Sequence, residues 1–111
     1  MSEREMIPQQ TLQQIGGANL AAISGMRAEM IPALHDERYA DLCLPVGHGY
    51  RVRIALAAND TYTVTREMVR GDKLFVKGEQ TDVYMDEVGE VCYQASCYKN
   101  VNFGDHKATW S

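Results

Sequence analysis

Three cysteines (Cys43, Cys92, Cys97) and three histidines (His35, His48, His106) are the side chains here best suited to metal or nucleophilic chemistry. A zinc site draws its ligands as close pairs, two to four residues apart. Cys92 and Cys97 are five apart, which on a helix turns them about 140° from one another, so they cannot both face one ion. Cys43 and the histidines lie in other segments. No metal site is expected, and the thiols read as buried or half-exposed packing groups. A thiol nucleophile needs a histidine base within reach and a group to orient it. Cys43 and His48, the latter in the loop Gly47-His48-Gly49, are the nearest such pair, with Asp60 the further polar residue. They define one alternative reading, a small enzyme with a Cys/His site. There is no Gly-x-Ser-x-Gly elbow, P-loop or dinucleotide fingerprint. Gly16-Gly17 lacks the upstream strand of a phosphate loop and reads as a helix stop. No cofactor is expected, and the favoured reading is non-enzymatic.

Charge is more suggestive. Between positions 51 and 77 stand Arg51, Arg53, Arg66, Arg70, Lys73 and Lys77 against Asp60, Glu67 and Asp72; between 79 and 90 stand Glu79, Asp82, Asp86, Glu87 and Glu90 without a cation. The candidate partner-binding residues are therefore Arg51, Arg53, Arg66, Arg70 and Lys73 on a basic sheet face, and Asp82, Asp86 and Glu87 at the acidic start of a helix. Arg51 and Arg53 share a strand face and are costly to bury together. The bland alternative is a solvated face with salt bridges worth ~0–1 kcal/mol. Exposed arginines at 51 and 53 imply that reversing both charges weakens partner binding and leaves the thermal midpoint nearly unchanged. A second alternative function is a nucleic-acid-binding module using this face and an outward Phe75. The net charge of −4 works against it.

The elements that position these residues follow from hydrophobic period. Pro8 and Gln9 to Ile15 suit a short helix ended by the glycine pair. Leu20 to Ser24 reads as a first strand, and Ala28 to Leu34 as an edge segment marked by Pro32. Asp41 to Leu44 is a short strand ended by Pro45. Tyr50, Val52, Ile54 and Leu56 alternate with Arg51, Arg53, Ala55 and Ala57, the clearest strand in the chain. After an Asn59-Asp60 turn, Tyr62 and Val64 point inward while Thr61, Thr63 and Thr65 face water. After Arg70-Gly71-Asp72, a strand over 73–77 sends Leu74 and Val76 inward, and Gly78 closes it. Thr81 or Asp82 then caps a last helix whose stripe is Tyr84, Val88, Val91, Cys92 and Ala95.

The fold expected is α+β: an antiparallel sheet of four or five strands, a short N-terminal helix, and a C-terminal amphipathic helix packed on the sheet. With 111 residues, 45% hydrophobic and 23% charged, the chain suits a single domain over 1–111. Residues 1–7 and 99–111 read as irregular, with Phe103 and Trp110 the large apolar anchors of the tail. The absence of an 18-residue apolar run excludes a membrane helix. The start lacks a signal core, and the odd cysteine count fits reduced thiols, so a cytoplasmic location is expected. A homodimer would form through the edge strand near 28–44.

The stretch TLQQIGGANLAAISGMR, residues 11–27, resembles a motif of small bacteriophage and mobile-element proteins. In these a Leu-x-Gln-(Leu/Ile)-Gly-Gly helix end precedes an apolar segment and a Ser/Thr-Gly pair. Leu12, Gln14, Ile15, Gly16, Gly17, Ala22, Ser24 and Gly25 carry the likeness. It continues through Tyr50, Val52, Ile54, Leu56, Asp60, Thr61, Tyr62, Val64, Arg70, Gly71, Lys73 and Val76, and on to Val83, Tyr84, Asp86, Val88 and Val91. This chain departs from the pattern in a polar insertion near 35–40, in Cys92 where an aromatic residue is usual, and in its tail after Tyr98. The resemblance implies the order of elements and an accessory protein that binds a host or phage macromolecule, as an anti-CRISPR-like inhibitor of host defence would. It implies no catalytic residue.

Overall fold

A computed structural model describes residues 11–33, 40–56, 61–97, 99 and 103. Residues 11–15 are helical (α1), followed by α2 (Gly17–Ser24), β1 (Glu29–Pro32), β2 (Ala40–Gly47), β3 (Tyr50–Leu56), β4 (Tyr62–Arg70), β5 (Lys73–Val83) and α3 (Val88–Ser96). The five strands form one antiparallel sheet in chain order, an α+β fold. Its first and last strands lie at opposite edges. Leu42, Leu44, Val52, Ile54, Tyr62 and Val64 line one sheet face, in rows set by the pairs Leu42↔Ile54↔Val64 and Leu44↔Val52. Ile15, Leu20, Ile23, Val88, Val91, Cys92 and Ala95 of the helices close over them, with Phe103 added from the tail.

Leu20 to Ser24 is helix rather than strand. Gly16, at φ +88°, interrupts the backbone for one residue only, and Leu20 and Ile23, three apart, then bury one helical face. α2 stops at Gly25 in the left-handed region, φ +62°. The helical layer packs closely because Gly89 of α3 leaves room for α1 and α2. A Cβ there would meet the Ile15 carbonyl oxygen at 2.7 Å and Asn19 Nδ2 at 2.6 Å.

The strands run longer than their alternation suggests. β2 continues through Pro45, and β5 passes Gly78 to Val83. Pairing shifts within β5: Arg66 faces Gly78 but Glu67 faces Val76, so Lys77 is an extra residue. That bulge reverses the facing of everything between it and the turn. Leu74 and Val76 are exposed, on the face away from the helices, and Phe75 joins the helix side in the row Tyr50↔Met68↔Phe75. Thr61 and Thr65 are buried, not turned to water.

The helix start also differs. β5 still occupies Thr81 and Asp82, so neither caps α3; Glu87 is the N-cap residue and Tyr84, 61% exposed, lies outside the apolar stripe. The Glu87 carboxylate instead accepts the Tyr84 N–H at 3.1 Å. The Asn59-Asp60 turn, Trp110, and residues 1–7 lie outside the described residues, as does all of 99–111 except Lys99 and Phe103.

Gly78 is the most closely approached of the described glycines. Its φ is +155°, and a Cβ would run into the Phe103 carbonyl oxygen and lie 2.8 Å from Phe103 Cδ2. Gly78→Ala is expected to cost about 1–3 kcal/mol through overpacking. Gly17→Ala, a helical position with nothing within 4 Å, should gain about 0.5–1 kcal/mol. Urea unfolding midpoints check both signs.

Candidate functional site

The sheet face away from the helices carries charge in its interior. Rows Cys43↔Arg53↔Thr65↔Glu79 and Pro45↔Arg51↔Glu67↔Val76 cross β2 to β5 there. Glu67 has no exposed surface. Arg51 Nε donates to its Oε1 at 2.7 Å, and Arg53 Nε to its Oε2 at 2.8 Å. Arg53 Nη1 also donates to Asp41 Oδ2 at 2.8 Å and to the Pro32 carbonyl at 3.1 Å. Two guanidiniums and two carboxylates make a neutral cluster joining strands β1 to β4. Burial disfavours the Arg53 charge, but its bonds to Asp41 and Glu67 outweigh that, and its pKa is raised.

Arg53 is therefore not a docking residue: both its ionic partners are inside the protein. Arg51 is half-buried and tied to the same carboxylate. Reversing the pair would place two more negative charges beside Asp41 and Glu67, so the expectation of an unchanged thermal midpoint does not hold.

Arg66 is excluded from the surface on the opposite face. It is 1% exposed, and its Nε donates to the Ala95 carbonyl at 2.7 Å. Its Nη2 reaches the carbonyls of Gln94 at 3.1 Å and Cys97 at 2.9 Å. These carbonyls belong to the last turn and C-cap of α3, where the Gln94 carbonyl also accepts the Cys97 N–H at 3.2 Å, and a cation there suits the negative end of the helix dipole. Phe103 covers the guanidinium, 5.0 Å from ring centroid to Cζ. Burial lowers the Arg66 pKa.

Cys43 and His48 are not brought together. Cys43 is buried in mid-β2 opposite Arg53, whereas His48 occupies the exposed β2–β3 turn, and a rise of about 3.3 Å per residue keeps them apart. His35, His106 and Asp60 lie outside the described residues. Among the described residues no three His, Cys, Asp or Glu side chains are grouped to hold a metal ion. No described helix is long and apolar enough to cross a membrane.

What remains at the surface is the β4–β5 hairpin. Arg70 pairs with Lys73 across the Gly71-Asp72 turn, and both are exposed. The bulge places Val69, Leu74 and Val76 on one side of the hairpin, with Val76 58% exposed. On the other side the row Tyr50, Met68, Phe75 adjoins Arg70 and Lys73, and Lys77 Nζ stands 5.6 Å from the Phe75 ring centroid. Alternation alone hid this surface, because it assigned Leu74 and Val76 to the core; the bulge that exposes them has no strong local signature. Asp82, Asp86 and Glu87 line the end of β5 and the turn before α3, all exposed.

No family model matches the chain, nor does any curated protein or solved structure. The hairpin and the buried cluster have to be understood from their own chemistry.

Glu67→Gln keeps the side-chain shape but leaves Arg51 and Arg53 with one carboxylate fewer. It should destabilise the protein by about 3–5 kcal/mol, against about 1 kcal/mol or less for the peripheral Arg51→Ala; chemical denaturation measures both. Burial pushes the Cys92 thiol up to about 12 and raises Cys43 as well. The folded state thus holds these protons more tightly than the unfolded chain. The resulting stability is fully present below the ordinary thiol pKa and disappears as pH climbs through the folded values. Iodoacetamide on the native protein should label the half-exposed Cys97 first, and Cys43 and Cys92 only after unfolding, as read by peptide mass spectrometry.

Proposed function

We propose that this chain is a non-enzymatic binding protein that engages an acidic surface of a host or phage protein through the β4–β5 hairpin. One observation carries the reading: Leu74 and Val76 on one face of the hairpin and Phe75 on the other are all exposed, with the cations Arg70, Lys73 and Lys77 around them. Apolar side chains exposed on both faces of one hairpin suit a partner that grips it, and flanking cations steer an acidic partner. Of the basic residues, Arg70, Lys73 and Lys77 contact the partner, while Arg53 and Arg66 serve the interior. Asp82, Asp86 and Glu87 form a second, acidic surface for the same partner. A small accessory protein of phage or mobile-element type, inhibiting by covering its target, fits this mode, and that assignment rests on the sequence resemblance.

A nucleic-acid reading has its own support in Lys77 over Phe75, a cation beside a stacking ring on a row that includes Tyr50. The net charge of −4 opposes it. Arg70→Glu/Lys73→Glu should reduce capture of the partner from a host lysate at least about tenfold while shifting stability by less than about 0.5 kcal/mol, as expected of surface positions. Equal capture by the variant removes the hairpin from the interface. Retention of the wild type on a DNA column, lost steeply with salt, selects nucleic acid instead.

A further inference from the structure

The two edges of the sheet are unlike. β1 is four residues long and ends at Pro32, which has no N–H to offer a neighbour. β5 is eleven residues long, and among the described residues its one neighbouring strand is β4. Its charges are segregated along its length, Lys73 and Lys77 in the first half, Glu79 and Asp82 in the second. Exposed apolar groups sit at both ends: Leu74, Phe75 and Val76 at the start, Tyr84 and Met85 just past the finish.

Such a strand is complementary to itself when reversed. A twofold axis relates identical surfaces and runs the two copies antiparallel. It then sets the cationic half of one β5 against the acidic half of the other, twice over. Pairing first half with first half would instead oppose Lys73 and Lys77 to themselves. We propose that β5 is the edge through which a second copy of this chain adds. Residues 73–76 of each protomer lie beside 79–82 of its partner, and the bulge at Lys77 falls next to the axis. A second irregularity lies at the outer end, with Asp82 at φ +57° where Tyr62 to Val64 of β4 spans Gln80 to Val83. The two irregularities limit the ladder to short stretches on either side of the axis, so the dimer is weak. Pairing by the edge leaves Leu74, Phe75 and Val76 on the sheet faces, while Lys73, Lys77 and Asp82 are shared with the proposed partner surface; sedimentation of the chain alone reads self-association without the partner. It also moves self-association from the segment near 28–44 to the opposite edge.

Sedimentation velocity of the full chain over roughly 10 μM to 1 mM, the range of weak association, tests this. The wild type should pass from monomer to dimer. Lys73→Glu/Lys77→Glu and Glu79→Lys/Asp82→Asn should each weaken dimerisation about tenfold or more, and an equimolar mixture of the two should restore it as a heterodimer. Should a double variant fail to fold by circular dichroism, Lys77→Glu alone, at an exposed bulge, carries the same expectation. A wild type monomeric throughout, a dimer indifferent to these changes, or a mixture that stays monomeric would overturn the proposal.

Discussion

A carboxylate with no exposed surface must have cations beside it, and the Glu67 side chain obtains two from the neighbouring strand. That requirement fixes much of the sheet. Arg51 and Arg53 must lie on the Glu67 face of β3, and Asp41 of β2 must come within reach of the same guanidinium. A one-residue slip of β3 would turn both arginines into the aliphatic layer and Val52 and Ile54 out of it. Buried ion clusters of this kind are often no more stabilising than apolar residues of equal volume, because desolvation offsets most of their attraction. Their consequence here is selectivity among registers, since a one-residue slip strands both arginines in the aliphatic layer.

The same basic segment serves a different purpose on the other face. Arg66 is one residue from Glu67 and points the opposite way, into the layer between sheet and helix, where three carbonyls of the last turn and C-cap of α3 accept its hydrogen bonds. A guanidinium is suited to this, having several donors in one plane. Adjacent residues of β4 thus tie the strand to two structures at once, to β3 through the carboxylate and to α3 through the guanidinium. The sharp shift of pairing between Arg66 and Glu67 sits at this point, and it alters which residues of β5 face the solvent.

Periodicity was enough to recognise the antiparallel sheet, the strand over 50–56 and the apolar face of the last helix, because burial on one side leaves an alternation or stripe that a single sequence carries. It misled wherever a local irregularity intervened. The glycine pair suggested one helix end, yet Gly16 alone breaks the backbone and a new helix begins at Gly17. Leu74 and Val76 look like core residues until the extra residue in β5 reverses them. Arg53 and Arg66 look like surface residues because composition gives no sign that Asp41, Glu67 and three carbonyls at the end of α3 will converge on them from 12 to 31 positions away. Long-range pairing of polar groups is the part of this fold that no local pattern encodes.

Phe103 belongs to the tail by sequence and to the interior by position. Its ring fills the space over Gly78 that no side chain of β5 could share, and it shields the cation that holds the end of α3. The domain's working boundary consequently lies beyond its last helix. Trimming the chain at Ser96 would remove a plug and uncover a charge together, so Phe103, which looks dispensable by its place in the sequence, is fastened to the least accessible part of the molecule.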